Sequence, residues 1–480
     1  MNWLSDISST MLTELFITLT VLILAVFSMF YNVKYNKVSK WIALCGIGVS
    51  LFALKYLQLE PIYYAFNDAI LSDTFTVFIK GLILISSFLI VLLSKRNAKQ
   101  RYHKTFQFYA ILLTGVLASL FIVSANDFLT LTVALELLSF ATYFLIAYKK
   151  GYLSKEASFK YLVTNAFSTA VYLMGVSYLY GITGSFNFSS INNYFLQHSP
   201  TLLYAISTIF ITLGLFFKLA LLPFANWILD VYEGCATSII VFIATIPKIA
   251  MIAVLARLLA FSLSYSFELS LVILILSVLT AIWANILAIK QKNILRLLAC
   301  SSSANAAYMV FTLTLVSVYN LSTVLFYLIT YIFMNIGVFA AIIVLENSNY
   351  SSKLHEFKGF AYSNPLFTLA FSVCIFGLAG FPITAGFISK LYLFSAIVRS
   401  GAIFIPFLLI LMLTIVVSCY YYTNVVKLMF EKNETNDNEI IHHNAYSPIV
   451  ILYTCAFITI IIGICPATLI EICKYIAYNL

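Results

Sequence analysis

Residues 376–394 read FGLAGFPITAGFISKLYLF, and this stretch decides the class of fold. It places Gly377, Gly380, Pro382 and Gly386 inside an apolar run from 365 to 398, which is too long for one straight membrane helix. Interrupted helices at membrane depth are tolerated only where the free backbone faces protein or a watery cavity. The pattern therefore predicts a discontinuous membrane helix, with Lys390 about one turn beyond the break.

Apolar runs of membrane length recur along the rest of the chain. The 480 residues are 62% hydrophobic and only 9% charged, and the mean hydropathy is +1.00. A soluble domain has about a quarter charged residues, so a soluble fold is excluded. We count about fourteen spans and predict an all-α polytopic membrane protein. The spans are 11–31, 41–59, 74–94, 106–124, 127–148, 158–181, 201–225, 237–260, 266–289, 295–317, 320–345, 365–398, 402–428 and 447–470.

The formal net charge of +9 follows the loops between these spans and does not indicate nucleic-acid binding. Basic residues follow odd-numbered spans, whereas the second loop is acidic, with Glu60, Asp68 and Asp73. The positive-inside rule then predicts cytoplasmic exits for odd spans and both termini on the outer side. The exit of span seven is an exception, because it carries Asp230 and Glu233 without Lys or Arg. The basic residues are Lys34, Lys37, Lys40, Lys95, Arg96, Lys99, Arg101, Lys104, Lys149, Lys150, Lys155, Lys290, Lys292 and Arg296.

Cysteine and histidine usage predicts no metal site and no redox cofactor in this chain. The eight cysteines are scattered without CxxC spacing, and the five histidines fall in or beside loops. Iron–sulfur and zinc sites need clustered ligands, so buried apolar thiols are the simpler interpretation. A Gly-rich dinucleotide fingerprint after a strand is also absent from the sequence.

Among the ionisable residues inside the apolar spans we single out four: Glu136, Lys218, Lys248 and Lys390. A charge at the bilayer centre costs roughly 2.5–3.5 kcal/mol even on the lenient insertion scale, so such residues usually serve a function. One acid and three lysines at membrane depth indicate a path for protons or cations. We predict that these residues form it.

Each charge also has a structural alternative. Lys218 could snorkel to the interface, although Pro223, five residues on, predicts a free carbonyl at Leu219 beside it. Lys248, directly after a proline near mid-span, could be a static ion-pair partner. A buried Glu136 must be neutral or paired with a cation, and Lys218 is the obvious candidate.

Two polar stripes at helical spacing extend the candidate path. One has an i, i+4, i+8, i+12 pattern and the other follows the same spacing on another helix. Either stripe could serve interhelical packing or line a chain of water molecules. The stripes are Lys160, Thr164, Ser168 and Tyr172, and Tyr327, Tyr331 and Asn335.

Three further segments carry a family resemblance. FKLALLPFANWILDVYEGCATS (217–238), QKNILRLLACSSSANAAYM (291–309) and SFKYLVTNAFSTAVYLMGVSYLYGITGSFN (158–187), with GFPITAGFISKLYLF, resemble antiporter-like membrane subunits of proton-translocating NADH:quinone oxidoreductase, respiratory complex I. DVYEG and a lysine at position 390 are most similar to the subunit N branch. The resemblance implies about fourteen transmembrane helices with two inverted five-helix repeats, each with a discontinuous helix. It divides the chain into 1–105, 106–260, 261–430 and 431–480, the second and third being the repeats.

The resemblance also assigns residues. Glu136 and Lys218 would be the charged pair of the first half, Lys248 the central lysine and Lys390 the terminal lysine of the second half. Lys160 in SFKYL matches a lysine of the sixth helix, and the acidic loop Asp230–Glu233 is a family feature.

The chain departs from the family at several positions. Ala225 and Asn305 stand where histidines are usual, Leu229 and Ala236 where prolines are, and Leu295 where a lysine is. Asparagine can hold water but cannot take a proton near neutral pH, so a relay through histidine is not expected at position 305.

We therefore expect a proton-translocating, non-redox subunit that couples NADH-to-quinone electron transfer in partner subunits to proton movement. FMN, iron–sulfur clusters and quinone are expected in those partners, and the neighbours would be M- and K-type membrane subunits in a bacterial inner membrane, or in the mitochondrial inner membrane if the gene is organellar. An Mrp-type cation/proton antiporter subunit is the alternative, and a membrane scaffold with static charge pairs is a third hypothesis.

Overall fold

The computed structural model describes residues 10–30, 37–57, 63–94, 105–149, 151–199, 201–262, 267–315, 317–348, 350–432 and 446–479. These residues form a helical bundle with one short antiparallel hairpin, in which Tyr63 of the first strand faces Ser72 of the second. The elements are α1 (Leu12–Phe30), α2 (Lys37–Ala53), β1 (Tyr63–Ala65), β2 (Ile70–Ser72), α3 (Thr74–Leu93), α4 (Thr105–Ser124), α5 (Phe128–Ala147), α6 (Tyr152–Thr183), α7 (Phe188–Gln197), α8 (Leu202–Leu219), α9 (Trp227–Gly234), α10 (Thr237–Ser262), α11 (Phe267–Ile289), α12 (Ile294–Leu313), α13 (Val318–Asn347), α14 (Pro365–Ala379), α15 (Ala385–Ser400), α16 (Ile405–Phe430), α17 (Tyr446–Ile464) and α18 (Ala467–Tyr478). Single helical turns occur at Leu54–Tyr56, Leu354–Phe357, Phe360–Ser363 and Ala402–Phe404.

The predicted membrane spans are confirmed within these residues. Thirteen helices are long and apolar enough to cross a membrane, and α14 with α15 forms the predicted broken twelfth span. Together the thirteen helices and the broken span give the expected fourteen membrane spans. The polypeptide is a multi-pass membrane protein.

Several span boundaries were wrong, among them those of spans two, six, seven, ten and fourteen. Span seven does not run to 225, because α8 ends at Leu219 and a second helix, α9, begins at Trp227. The segment Asp230–Glu233 is therefore helical and is not a loop. Span six is longer than predicted, at Tyr152–Thr183, and span fourteen ends at Ile464, where Pro466 cannot continue the helix.

The two interrupted helices end in the same way. Ala220 and Gly380 both adopt left-handed backbone, with φ of 56° and 86°. Each donates its N–H to the carbonyls three and four residues back, and the next residue donates to the carbonyl five back. This is a Schellman motif, which stops a helix by satisfying its last carbonyls. The expected pair of discontinuous helices is thus present.

The core of the bundle lies along α10, α12 and α13. In a membrane-length stretch of each of these three helices at least 94% of the residues are buried, compared with 22% in α16. Polar caps define several helix starts: the Asp73 side chain accepts from the Thr76 N–H at the start of α3, and Ser317 caps α13 in the same way. Similar caps begin the helices of Glu136 and Lys218, since the Asp127 side chain accepts from the Thr130 N–H before α5 and the Thr201 side chain from the Tyr204 N–H before α8.

Some expectations remain predictions. The residues Lys34, Glu60, Lys95, Arg96, Lys99, Arg101, Lys104 and Lys150 lie outside the described residues, as does most of the loop 431–445. The division at 105, 260 and 430 is not tested by the packing of the helices.

Candidate functional site

Lys218 lies in the last turn of α8, where the helix is about to break. Its ammonium is buried and donates to Ser139 Oγ at 2.8 Å and to Tyr161 OH at 2.7 Å. The Tyr161 and Phe217 ring centroids lie 5.1 and 5.3 Å from the ammonium. Because both hydrogen-bond partners are buried, Lys218 does not snorkel to the membrane surface. The span that was predicted to continue to 225 ends at Leu219, before Pro223.

Glu136 lies one turn before Ser139 on α5, but it does not form a direct ion pair with Lys218. Its Oε1 atom instead accepts a hydrogen bond from Thr169 Oγ1 at 2.8 Å. The ion pairs between described residues include neither Glu136 nor Lys218. Instead of contacting each other, the two charged groups each bond to hydroxyl groups: Glu136 to that of Thr169, and Lys218 to those of Ser139 and Tyr161.

A small cavity joins these two groups. Its volume is about 20 Å³, which has room for about one water molecule. Its polar lining consists of Thr132, Glu136, Ser139, Asn165, Ser168, Thr169, Tyr172 and Lys218. A water molecule here would have the polar partners that it needs, so a proton could pass between carboxylate and ammonium without direct contact.

The first polar stripe is divided between this cavity and the bundle end. Ser168 and Tyr172 line the cavity, and Ser168 Oγ also donates to the Gly214 carbonyl at 2.8 Å. Lys160 lies apart, with 43% of its side chain exposed, and pairs with Glu156 and Asp230 at 2.7 Å each. The stripe therefore serves both packing and the polar site.

Lys248 is the central buried cation and has no acidic partner in the described part of the chain. Its ammonium donates to the Ser302 carbonyl at 2.7 Å and to Ser302 Oγ at 2.8 Å, and it lies 6.0 Å from the Tyr331 ring centroid. The static ion-pair alternative is therefore not supported. A buried cation held only by neutral oxygens can exchange its proton without leaving an unpaired acid behind.

Lys390 lies in α15 and reaches back across the break. Its ammonium donates to the carbonyls of Leu378 and Ala379 at 3.0 and 2.6 Å, in the last turn of α14. These carbonyls carry the negative end of the helix dipole, which favours a cation. The position predicted for Lys390, about a turn beyond the break, is confirmed.

The second polar stripe is hydrogen-bonded within the protein. Tyr327 OH donates to Asn305 Oδ1 at 2.7 Å, and Asn305 Nδ2 donates to the Ser301 carbonyl at 2.8 Å. Asn335 Nδ2 donates to the carbonyl of Tyr331. Asn305 thus occupies a hydrogen-bonded position, whereas Ala225 is fully buried and offers no polar side chain.

The acidic residues of α9 resolve the exception to the charge rule. Asp230 pairs with Lys160 at 2.7 Å and with Arg296 at 3.8 Å, and Glu233 pairs with Arg296 at 2.7 Å. Lys160 lies in the helix after span five and Arg296 in the first turn of the helix after span nine, so residues near the exits of three odd-numbered spans meet at one end of the bundle. The acids at the exit of span seven are thus neutralised by basic residues from neighbouring exits.

Two buried ion pairs escaped the sequence predictions. Glu14 and Lys80 are both almost fully buried and 2.8 Å apart, and Asp73 and Arg257 are 2.7 Å apart at 6% exposure each. Lys80 lies in the apolar run 74–94, so the rule that singles out Lys218 could have found it. Both pairs attach α3 to neighbouring helices, α1 and α10.

Comparisons with known proteins agree with this fold. Residues 125–418 match the family model described as NADH:quinone oxidoreductase/Mrp antiporter, TM. NAD(P)H-quinone oxidoreductase subunit 2 of Thermosynechococcus vestitus is 32% identical over 438 residues, which are 91% of this chain and 84% of that protein. A chain of respiratory complex I from Thermus thermophilus, solved with bound aureothin, has a TM-score of 0.80 at 27% identity, covering 96% of this chain and 98% of that one. A chain of the Mrp complex from Dietzia sp. DQ12-45-1b has a TM-score of 0.83 at 17% identity, covering 98% and 97%, and shows the shared fold alone.

Proposed function

Because the chain belongs to the NADH:quinone oxidoreductase/Mrp antiporter family of membrane proteins, we propose that it is a proton-translocating membrane-arm subunit of an NADH:quinone oxidoreductase. Electron transfer from NADH to quinone takes place in partner subunits, and this chain moves protons while that chemistry occurs. Its partners include other membrane subunits of the complex, and M- and K-type neighbours are the proposed ones. The membrane is a bacterial inner membrane with both termini on the outer side.

The observation that carries this proposal is the hydrogen bonding of the three buried lysines. Lys218, Lys248 and Lys390 are held by hydroxyl and carbonyl oxygens, and none forms an ion pair with a described acid. A static scaffold would pair its buried charges, as Glu14 and Lys80 do. Unpaired lysines are suited to a change in protonation.

The proton path in this proposal has five stations. Lys160 is at the inner end of the bundle, Glu136 and Lys218 share the small cavity of the first half, Lys248 is central and Lys390 is in the second half. Moving one charge across 100 mV needs about 2.3 kcal/mol. A hydrogen bond to a charged group contributes about 1.5–3 kcal/mol, so exchanging partners at one lysine is on the required scale.

Cofactors belong to the partners in this proposal. FMN, iron–sulfur clusters and quinone are assigned to other subunits, and this chain contributes no redox centre. The described residues contain no group of three or more His, Cys, Asp or Glu side chains suited to a metal ion.

The test is Lys390→Ala in the intact complex, with NADH-driven proton uptake and quinone reduction measured in membrane vesicles. We expect the complex to assemble while proton uptake falls strongly. Normal proton uptake with normal assembly would overturn the proposal and favour a static scaffold.

An Mrp-type cation/proton antiporter subunit is the second candidate, favoured by the fold that this chain shares with the Mrp complex. Purification distinguishes the two. Co-purifying flavin and iron–sulfur subunits support the oxidoreductase, and an assembly that contains neither supports the antiporter.

A further inference from the structure

The DVYEG segment, residues 230–234, forms most of α9, the short helix that follows the first break. Asp230 and Glu233 contact basic residues, whereas Tyr232 is fully buried and points to α12. The hydroxyl of Tyr232 lies 3.2 Å from Ser302 Oγ. This hydrogen bond connects the interrupted helix of the first half with a helix of the second half.

Ser302 is also the residue that holds Lys248. Both its carbonyl and its Oγ atom accept hydrogen bonds from the Lys248 ammonium, at 2.7 and 2.8 Å. Because Oγ accepts from the ammonium, its own proton is available for Tyr232 OH, and neighbouring hydrogen bonds strengthen one another. A single serine hydroxyl therefore separates α9 from the central lysine.

A second contact fixes α9 to the same helix. Arg296, six residues before Ser302 on α12, donates to Glu233 at 2.7 Å. The short helix α9 also packs closely on α6, since a Cβ atom at Gly234 would lie 2.7 Å from the Leu153 carbonyl oxygen. Because α9 contacts α12 at two points, a shift of α9 would disturb the hydrogen bonds that hold Lys248.

We propose that Tyr232 and Ser302 are positioning residues that couple the interrupted helix of the first half to Lys248. A rearrangement at the break beside Lys218 would pass along α9 and change the hydrogen bonding of the central lysine. The inference rests on the proposed function and deepens it by naming the physical connection between the two halves.

The test compares Tyr232→Phe and Ser302→Ala in the intact complex. Each removes one hydroxyl, and the rate of proton pumping per electron transferred is measured in vesicles and normalised to assembled complex. We expect each variant to lower this ratio about 2- to 10-fold, as for loss of one buried hydrogen bond. Ser302→Thr, which keeps a hydroxyl, should restore the ratio, and the double variant should be no worse than Ser302→Ala.

The matched control is Tyr109→Phe, because it also removes a buried phenol hydroxyl. The Tyr109 hydroxyl, in α4, bonds to Ser94 at the end of α3 and not to Ser302. If Tyr232→Phe pumps like Tyr109→Phe, or if Ser302→Thr pumps no better than Ser302→Ala, the inference is overturned. Lys248→Ala in the same vesicles distinguishes failure of the proposed function from failure of the proposed coupling. Normal pumping by Lys248→Ala refutes the proposed function, whereas loss of pumping there with a normal Tyr232→Phe refutes the coupling alone.

Discussion

Gly380→Ala should disable the second interrupted helix while leaving the rest of the bundle intact. Gly380 has a φ of 86°, and a Cβ atom built there would lie 2.7 Å from Lys390 Cδ. Left-handed backbone costs alanine about 1–2 kcal/mol. The Lys390 side chain must also move, and losing one hydrogen bond from its ammonium to the Leu378 or Ala379 carbonyl costs about 1.5–3 kcal/mol.

The backbone cost and the lost hydrogen bond together disfavour the native Lys390 geometry by about 2.5–5 kcal/mol. Because about 1.4 kcal/mol corresponds to a factor of ten in rate, we expect proton pumping to fall at least about tenfold. The assay is NADH-driven proton uptake by vesicles, normalised to the amount of assembled complex. Quinone reduction is measured in parallel to follow the coupling.

The chain contains its own control for this prediction. Ala220 occupies the equivalent position in the first interrupted helix with a φ of 56°, so Ala220→Gly should relieve strain and leave pumping unchanged. Gly386→Ala is the control for loss of folding, because its Cβ atom would lie 1.8 Å from the Gly377 carbonyl oxygen and should prevent assembly. Full pumping by Gly380→Ala would show that Lys390 does not depend on the carbonyls of the break, and the reasoning would fail.

Two further substitutions test charges and hydroxyls elsewhere in the bundle. Lys80→Met leaves Glu14 buried without its cation and should lower the amount of assembled complex, since breaking a buried pair costs about 3–5 kcal/mol. The amount of complex is measured by blotting of membranes, and the double variant with Glu14→Leu should recover it. Equal losses in the single and the double variant would contradict the pairing. Thr169→Val removes the donor to Glu136 and should reduce pumping about tenfold or more, as for a hydrogen bond to a charged group, with little loss of assembly. The control is Thr164→Val on the same helix, because within the described part of the chain the Thr164 hydroxyl bonds to the backbone carbonyls of Lys160 and Tyr161 and to no acid. Equal pumping by the two variants would exclude a role for Thr169.

Hydropathy predicted the spans because membrane insertion depends on local composition alone. The break near Gly380 was visible for a similar reason, because three glycines and a proline within ten residues disfavour a continuous helix. The family resemblance implied a broken helix in the first half, but the residues themselves did not show that it ends at Leu219, because Ala220 has no intrinsic preference for left-handed backbone. Its conformation is imposed by the surrounding packing, which no short segment reveals.

The contacts of the site were harder to predict than its members. Position in an apolar run identified Lys218 and Lys248, but their partners Ser139 and Ser302 are 79 and 54 residues away. Serine and threonine occur throughout the spans, so composition does not show which of them face a charge. The direct contact between Glu136 and Lys218 was a reasonable expectation from charge alone, and it failed because hydroxyl groups offered each residue a closer partner.

The two breaks share one hydrogen-bonding scheme but place their lysines on opposite sides of it. Lys218 precedes its break and donates to the hydroxyls of Ser139 and Tyr161, whereas Lys390 follows its break and donates to two backbone carbonyls. Hydroxyl groups rotate and can both donate and accept, but carbonyls of a helix end are fixed acceptors. A proton can therefore leave Lys218 by rotation of neighbouring side chains, while at Lys390 the ammonium itself must move away from the helix end. Proton exchange at Lys218 thus depends on hydroxyl side chains, whereas proton exchange at Lys390 depends on the conformation of the helix break. The strain introduced by Gly380→Ala should therefore affect proton exchange at Lys390 and not at Lys218.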